Sequence, residues 1–258
     1  MTLVQSQMWW PGINRQHPLA RGLGRYWPMW EGAGSQVGDL VNPNPEAFRG
    51  TLINEPTWVG SENVWALGYL AASTQYVDFG LFNDAETGPF TVTAQANVSA
   101  ASDTNAGLYS NNTGANFKGP FLLQGNNAWP TIAWLSGDQI VSTTTSSGWH
   151  EYTMVRYAGT TGIEGFVDGT SVGTAAGRSG IVTGQNLYLG VRFRNDSYLT
   201  GQIGRFSFWN RALAPSEIAH LARDPHALTR LRSRPHVVPA AAAVGNPWYY
   251  YQQQTAAG

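Results

Sequence analysis

Cysteine is absent from this 258-residue chain, which excludes disulfides, thiolate metal sites and thiol catalysis together. Charge is scarce too, with Asp, Glu, Lys and Arg making 12% of the residues against a globular norm near ~25%. Lys118 is the only lysine. The arginine bias first suggests a GC-rich genome, and second a use of fixed, planar contacts to carboxylates. A formal net charge of -1 gives no field to gather nucleic acid or an anionic membrane. No run approaches the ~18 apolar residues of a membrane span. The opening MTLVQSQMWWPG has neither the basic segment nor the apolar run of a secretory signal, so the expectation is a soluble, unprocessed chain.

Glycine, proline and aromatic residues are plentiful, with 30 Gly, 14 Pro and 11 Trp. Few charges beside so many tryptophans argue against disorder, and the length suits one large all-β domain. The chain divides into an arm (residues 1–19), a body (20–223) and a tail (224–258). In PFTVTAQANV, Phe90, Val92, Ala94, Ala96 and Val98 alternate with Thr91, Thr93, Gln95 and Asn97, a half-buried strand with one face on a core and one wet. Further strands are expected at Arg25–Trp30, Trp65–Tyr69, Tyr76–Phe79, Phe121–Gln124, Trp149–Tyr157, Ile163–Val167, Leu187–Val191 and Ile203–Trp209. Gly, Asn, Asp and Ser clusters at near-regular spacing between them mark a sandwich or jelly roll.

Asp168-Gly169 between two β-prone runs predicts a two-residue hairpin, because a type I′ turn needs two residues that tolerate positive φ. Ile203 is out of phase with Phe206 and Phe208, and a bulge at Gly204 restores the phase. One short helix follows. Pro215 suits its first position, Glu217 sits near the positive end of its dipole, and Asp224-Pro225 stops it. Ala214 at the N-cap forgoes a cap worth ~1 kcal/mol. Ile218 and Leu221, three apart, would lay the helix as a lid over one edge of the sandwich.

In order, WHEYTMVRY, GFVDGTSVG, NLYLG and LTGQIGRFSFWNRALAPSEIAHL resemble the laminin-G-like, concanavalin A-like jelly-roll family. HPLARGLGRYWPMWEGAG resembles the first strand of such domains in many phage and bacterial proteins. The resemblance spans about residues 17–223. It implies an all-β, two-sheet antiparallel jelly-roll sandwich with one short C-terminal helix, carried here between extended terminal arms. By the same analogy Arg211 braces the turn into the helix, and Asp78, Asp103 and Asp196 lie in rim loops where many relatives hold Ca²⁺ with oxygen ligands.

Glycoside hydrolases share this fold and need two acids about 5–9 Å apart. The E-x-D-x-x-E spacing of the laminarinase-type members does not occur, and the nearest pair, Glu164 and Asp168, loses Asp168 to the hairpin. His17, His150, His220, His226 and His236 show no metal-binding spacing. G-x-S-x-G and Walker A patterns are missing, and GAGSQVG at 32–38 reads as a loop. The expectation is a protein without catalytic activity.

The tail is rich in Pro, Ala, Gly and Gln without periodicity, a composition of mobile ends. It nevertheless carries Trp248, Tyr249, Tyr250 and Tyr251, and the arm carries Trp9 and Trp10, residue types enriched at interface hot spots. Arg230, Arg232 and Arg234 are too few for nucleic acid and suit an acidic neighbour or a solvated linker. These features point to a virion structural protein. The leading expectation is a decoration or cement protein on the capsid exterior, assembled in the host cytoplasm. Its partners would be the major capsid protein, further copies of itself and cell-surface glycans, with no nucleic acid or membrane. The alternatives are a tail or fibre adhesin for host glycans, and a free bacterial lectin module.

Overall fold

Phe90–Val98 and Gly201–Trp209 are the longest strands, and they lie side by side at the centre of a sheet. The computed structural model describes residues 12–42, 48–60, 65–82, 88–99, 102, 106–111, 121–124, 131–136, 139–144, 146–158, 162–175, 185–193 and 196–229. The strands are β1 (Leu23–Trp27), β2 (Gln36–Val37), β3 (Gly50–Ile53), β4 (Thr57–Gly60), β5 (Trp65–Tyr69), β6 (Tyr76–Phe82) and β7 (Phe90–Val98). They continue as β8 (Gly107–Ser110), β9 (Phe121–Gln124), β10 (Thr131–Ser136), β11 (Gln139–Thr144), β12 (Trp149–Arg156), β13 (Ile163–Val167) and β14 (Thr170–Ala175). The last are β15 (Gln185–Leu189), β16 (Val191–Phe193), β17 (Asp196–Tyr198) and β18 (Gly201–Trp209), before helix α1 (Pro215–Arg223).

Two eight-stranded antiparallel sheets face each other. The first runs β14-β13-β12-β7-β18-β5-β4, with β1 also on β18, and the second β11-β10-β9-β8-β15-β6-β3-β2. β16 and β17 form a separate ribbon. The bulge falls at Gly204, between Ile203 and Arg205. There β18 exchanges one neighbour for another, pairing β5 before the bulge and β1 after it. The hairpin also stands as expected, with φ of 50° at Asp168 and 79° at Gly169.

Several strand limits differ from the sequence reading: β15 and β18 begin two residues earlier, at Gln185 and Gly201, β1 begins at Leu23, and β12 ends at Arg156. β1 stops at Trp27, not Trp30, because Pro28 has no N–H to donate and Met29 turns to φ 56°. The expected Leu187–Val191 strand breaks at Gly190, whose φ of 83° sends the chain on into the β16 ribbon. β6 extends beyond Phe79 to Phe82.

Trp27, Phe79, Val92, Ala94, Tyr152, Met154, Phe206 and Phe208 fill the space between the sheets. The other face of the first sheet is not wet, which corrects the half-buried reading of β7. Thr91 and Thr93 are fully buried there, beside Glu151, Thr153, Arg205 and Ser207. Leu19, Val155, Phe166, Trp209, Leu213, Ile218 and Leu221 form a second core between that face and α1. Residues 12–19, assigned to the arm, and 224–229, assigned to the tail, belong to this layer. Asn14 N–H donates to the Leu228 carbonyl (2.7 Å), and Trp209 Nε1 donates to the Leu19 carbonyl (2.7 Å).

Polar bonds dock the helix. Arg205 pairs with Glu151 at 2.7 Å and donates to the carbonyls of Leu221 and Pro225. Burial raises the Glu151 carboxyl above its ordinary value, and the Arg205 charge opposes that rise. Arg211 braces the entry by two 2.7 Å bonds to Glu217, while its Nε donates to the Arg21 carbonyl. Glu217 also accepts the Ala214 N–H at 2.9 Å, the half of a capping box that the third helical residue supplies, while the half that needs an N-cap side chain is missing with alanine there. The Arg211 hydrogen bonds hold the Glu217 carboxyl below its ordinary value.

Candidate functional site

Where Pro28 and Met29 end β1, residues 28–38 cross from the first sheet to β2, the edge strand of the second. Trp58 of edge strand β4 donates its Nε1–H to the Gly34 carbonyl at 2.9 Å, so the loop is fastened to both sheets. Under it lies a cavity of about 320 Å³. Pro28, Val37 and Leu40 give it apolar walls, and Trp30, Glu31, Gln36 and Arg49 line it with an indole, a carboxylate, an amide and a guanidinium. Small-ligand sites are usually concave, largely apolar and furnished with a few convergent polar groups.

The polar groups are held in place. Glu31 Oε1 accepts the Gly38 N–H at 2.7 Å, and Arg49 Nη1 donates to Gln36 Oε1 at 2.9 Å. Glu31 is exposed by area, yet protein atoms crowd its carboxylate, and this enclosure outweighs the Gly38 hydrogen bond and raises its carboxyl above the ordinary value. Behind the wall, Asp39 accepts from the backbone N–H groups of Tyr26 (3.0 Å) and Val41 (2.9 Å) and pairs with Arg25 at 3.4 Å. Arg25 in turn lies 3.4 Å over the Phe48 ring, a cation–π contact. Both Asp39 oxygens are therefore engaged, and of the two carboxylates lining the cavity only Glu31 stands on its exposed rim. Most glycoside hydrolases work with a pair of acids, whereas binding needs none.

Trp65 stands next to this cavity. It is 40% exposed, and its benzo ring lies against Gly32 and Gly60. A Cβ on Gly32 would sit 2.9 Å from that ring and one on Gly60 would sit 2.7 Å from it, so a side chain at either position would push the indole from its place. Gly32 follows Glu31 directly, which makes the loop the shared wall of cavity and indole.

The residues nominated from sequence fall elsewhere. Glu164 accepts from Tyr157 (2.9 Å) and Ser171 (2.6 Å). Burial first, then the bond to Glu164 and its charge, push the Tyr157 hydroxyl up to about 12. Asp168 caps the hairpin by accepting the Glu151 N–H at 2.9 Å. Asp78 lies within β6 and not in a rim loop, and it accepts the Gly80 N–H (2.8 Å) and the Asn186 amide (3.0 Å). Asp103 and the side chain of Asp196 lie outside the described residues, as do Trp9, Trp10, Arg230, Arg232, Arg234, Trp248, Tyr249, Tyr250, Tyr251 and His236. Among the described residues no group of three His, Asp or Glu comes together as a metal site.

One constellation escaped the sequence reading. His150 Nδ1 meets Asp168 Oδ2 at 2.6 Å, and its Nε2 lies 3.2 Å from Ser146 Oγ. The order resembles a nucleophile–base–acid triad. But Nε2 also lies 3.0 Å from the Ser146 carbonyl, so Ser146 meets that nitrogen through its backbone as well as its hydroxyl. The arrangement is a clasp from the segment before β12 to the β13–β14 hairpin. The cavity residues were missed as well, although WPMWEGAGSQVG signalled them by pairing tryptophans with a glycine-rich loop that carries one acid.

A family model described as the concanavalin A-like lectin/glucanases superfamily matches residues 71–219. No curated protein sequence matches the chain. Among solved structures, the chain is similar to domain 4 of AbnA, an extracellular GH43 arabinanase of Geobacillus stearothermophilus solved in complex with arabinotriose. The TM-score is 0.55 at 12% identity over 78% of this chain and 98% of that one. It is similar to the binding domain of Paraclostridial Mosquitocidal Protein 1, with a TM-score of 0.59 at 14% identity over 79% of this chain. It is also similar to botulinum neurotoxin type C, from a structure titled for cell entry through two ganglioside molecules, with a TM-score of 0.56 at 10% identity over 79% of this chain. The chain spans 52% and 51% of those two toxin chains. At such identities the likeness is one of fold.

Proposed function

The chain belongs to the concanavalin A-like lectin/glucanases superfamily, and we propose that it is a non-catalytic glycan-binding protein whose site is the cavity under the 28–38 loop. The carrying observation is the lining itself, where Trp30 supplies an apolar ring and Glu31, Gln36 and Arg49 supply hydroxyl-binding groups beside it. Sugars present the same two surfaces, an apolar C–H face and a polar rim. Neighbours of this fold solved with arabinotriose or titled for gangliosides support the ligand class. Among the described residues the cavity has one exposed acid, Glu31, with Asp39 buried and engaged behind it, an arrangement that favours binding over hydrolysis. The test is a glycan array followed by calorimetric titration of the best ligand. Glu31→Gln and Arg49→Ala are each expected to weaken binding at least ten-fold. Binding that survives both substitutions would move the site elsewhere, and an array without any ligand would overturn the reading.

As its wider setting we propose a virion, with the sandwich displayed on a phage capsid exterior. The phage-like HPLARGLGRYWPMWEGAG opening and the aromatic ends at Trp9, Trp10 and Trp248–Tyr251 support it. Mass spectrometry of purified particles tests it. A ratio to the major capsid protein near one, or a simple fraction of it, is expected. A handful of copies would move the protein to the tail or fibres, and absence from particles would leave a free lectin.

A further inference from the structure

Resting on the glycan reading of the cavity, we propose that Trp65 is a second, stacking subsite, so that the site takes an oligosaccharide of at least two units and discriminates against single sugars. A tryptophan on a strand next to the sheet edge usually turns inward or is covered by a neighbour. Trp65 is instead 40% exposed, although its strand neighbours Ala66 and Leu67 are buried at 1% and 0%. Its position is built. Gly60 lies directly opposite it in the β4–β5 register, and Gly32 reaches it from the loop. Two glycines thus let the benzo ring lie close against the backbone of two elements, and each contact narrows the rotamers it loses when a ligand settles on it.

Connection to the cavity makes it a subsite. Glu31 lines the cavity and Gly32 touches Trp65, one ~3.8 Å step along the backbone apart. A saccharide that crosses the loop at this point would meet both. The cavity would grip the hydroxyls of the first unit, and the exposed indole would carry the C–H face of the second, a contact that needs area and gives little preference for linkage. Trp58, bonded through Nε1 to Gly34, anchors the loop between them and is a positioning residue.

The experiment is calorimetric titration of the whole chain with matched single sugars and trisaccharides: arabinose and arabinotriose, glucose and cellotriose, N-acetylneuraminic acid and sialyllactose. For at least one pair the trisaccharide is expected to bind ten-fold or more tightly than its sugar. Trp65→Ala should remove that advantage, bringing the trisaccharide down to the affinity of its single sugar, while Trp65→Phe should restore most of it. Equal affinities within every pair would overturn the subsite, as would a Trp65→Ala variant that binds the trisaccharide unchanged. If Glu31→Gln abolishes binding while Trp65→Ala does nothing, the subsite fails and the cavity stands. If the wild type binds none of the six, subsite and cavity fail together.

Discussion

The face beneath α1 and the edge beneath the 28–38 loop are made of the same residue types, an arginine, a glutamate and tryptophans, with opposite results. Beneath the helix, Arg205 and Glu151 are 5% exposed each, Trp209 is fully buried, and their bonds end on protein atoms. At the edge, Glu31 and Gln36 are exposed and Trp65 is 40% exposed. The first set holds the fold together. The second is held by the fold, and that leaves its outer surface for a ligand.

Substitutions should separate the regions in a graded way. The largest effect is expected from Arg205→Met, which strands the Glu151 charge in the interior and should cost about 3–5 kcal/mol. At ~2–4 °C per kcal/mol for a domain of this size, Tm falls by roughly 10 °C in thermal circular dichroism. Adding Glu151→Leu should recover most of the loss, since an apolar pair of similar volume avoids the desolvation penalty. Next, Glu31→Gln at an exposed position and Arg49→Ala at a half-buried one should each change stability by less than ~1 kcal/mol. A large Tm loss in either would erase the contrast between the regions.

A smaller effect separates the helix from both. Glu217 has a lowered pKa in the folded chain, chiefly through Arg211, so the stability it adds is full above the ordinary glutamate pKa of about 4.3 and disappears as pH falls through the lower folded value. The difference in Tm between wild type and Glu217→Gln should be constant from pH 7 to 5 and shrink below that. A pH-independent difference would show that charge is not involved. The smallest effect is expected at the clasp. His150→Ala should leave hydrolysis of p-nitrophenyl acetate at the background rate of the wild type, and a wild-type rate well above the variant's would make the clasp a triad.

The sequence disclosed the sandwich where local chemistry decides alone. Asp168-Gly169 could only be a turn, the phase error before Phe206 could only be mended near Gly204, and Pro215 with Asp224-Pro225 framed the helix. It misled where burial depends on a partner far along the chain. Thr91 and Thr93 read as solvent-facing because nothing nearby in sequence reveals that α1, 120 residues on, covers them: Thr91 Oγ1 donates to the Arg211 carbonyl and accepts the Leu213 N–H, at 2.9 Å each. The site was hidden for the same reason. Trp30 and Glu31, Arg49, and Trp65 sit on separate stretches, and only the crossing of the loop between two sheet edges brings them together. The aromatic ends that attracted attention lie outside the described residues, and the cavity came from a loop read as plain connection.

The most direct measurement compares the two regions in one spectrum: the indole N–H resonances of the ¹⁵N-labelled protein, assigned by Trp→Phe substitution, followed through a titration with the best trisaccharide. Trp30 and Trp65 are expected to shift with ligand while Trp209, sealed under α1 and bonded to Leu19, stays in place. Shifts at Trp209 with none at Trp30 or Trp65 would place the ligand on the helix side and contradict the account.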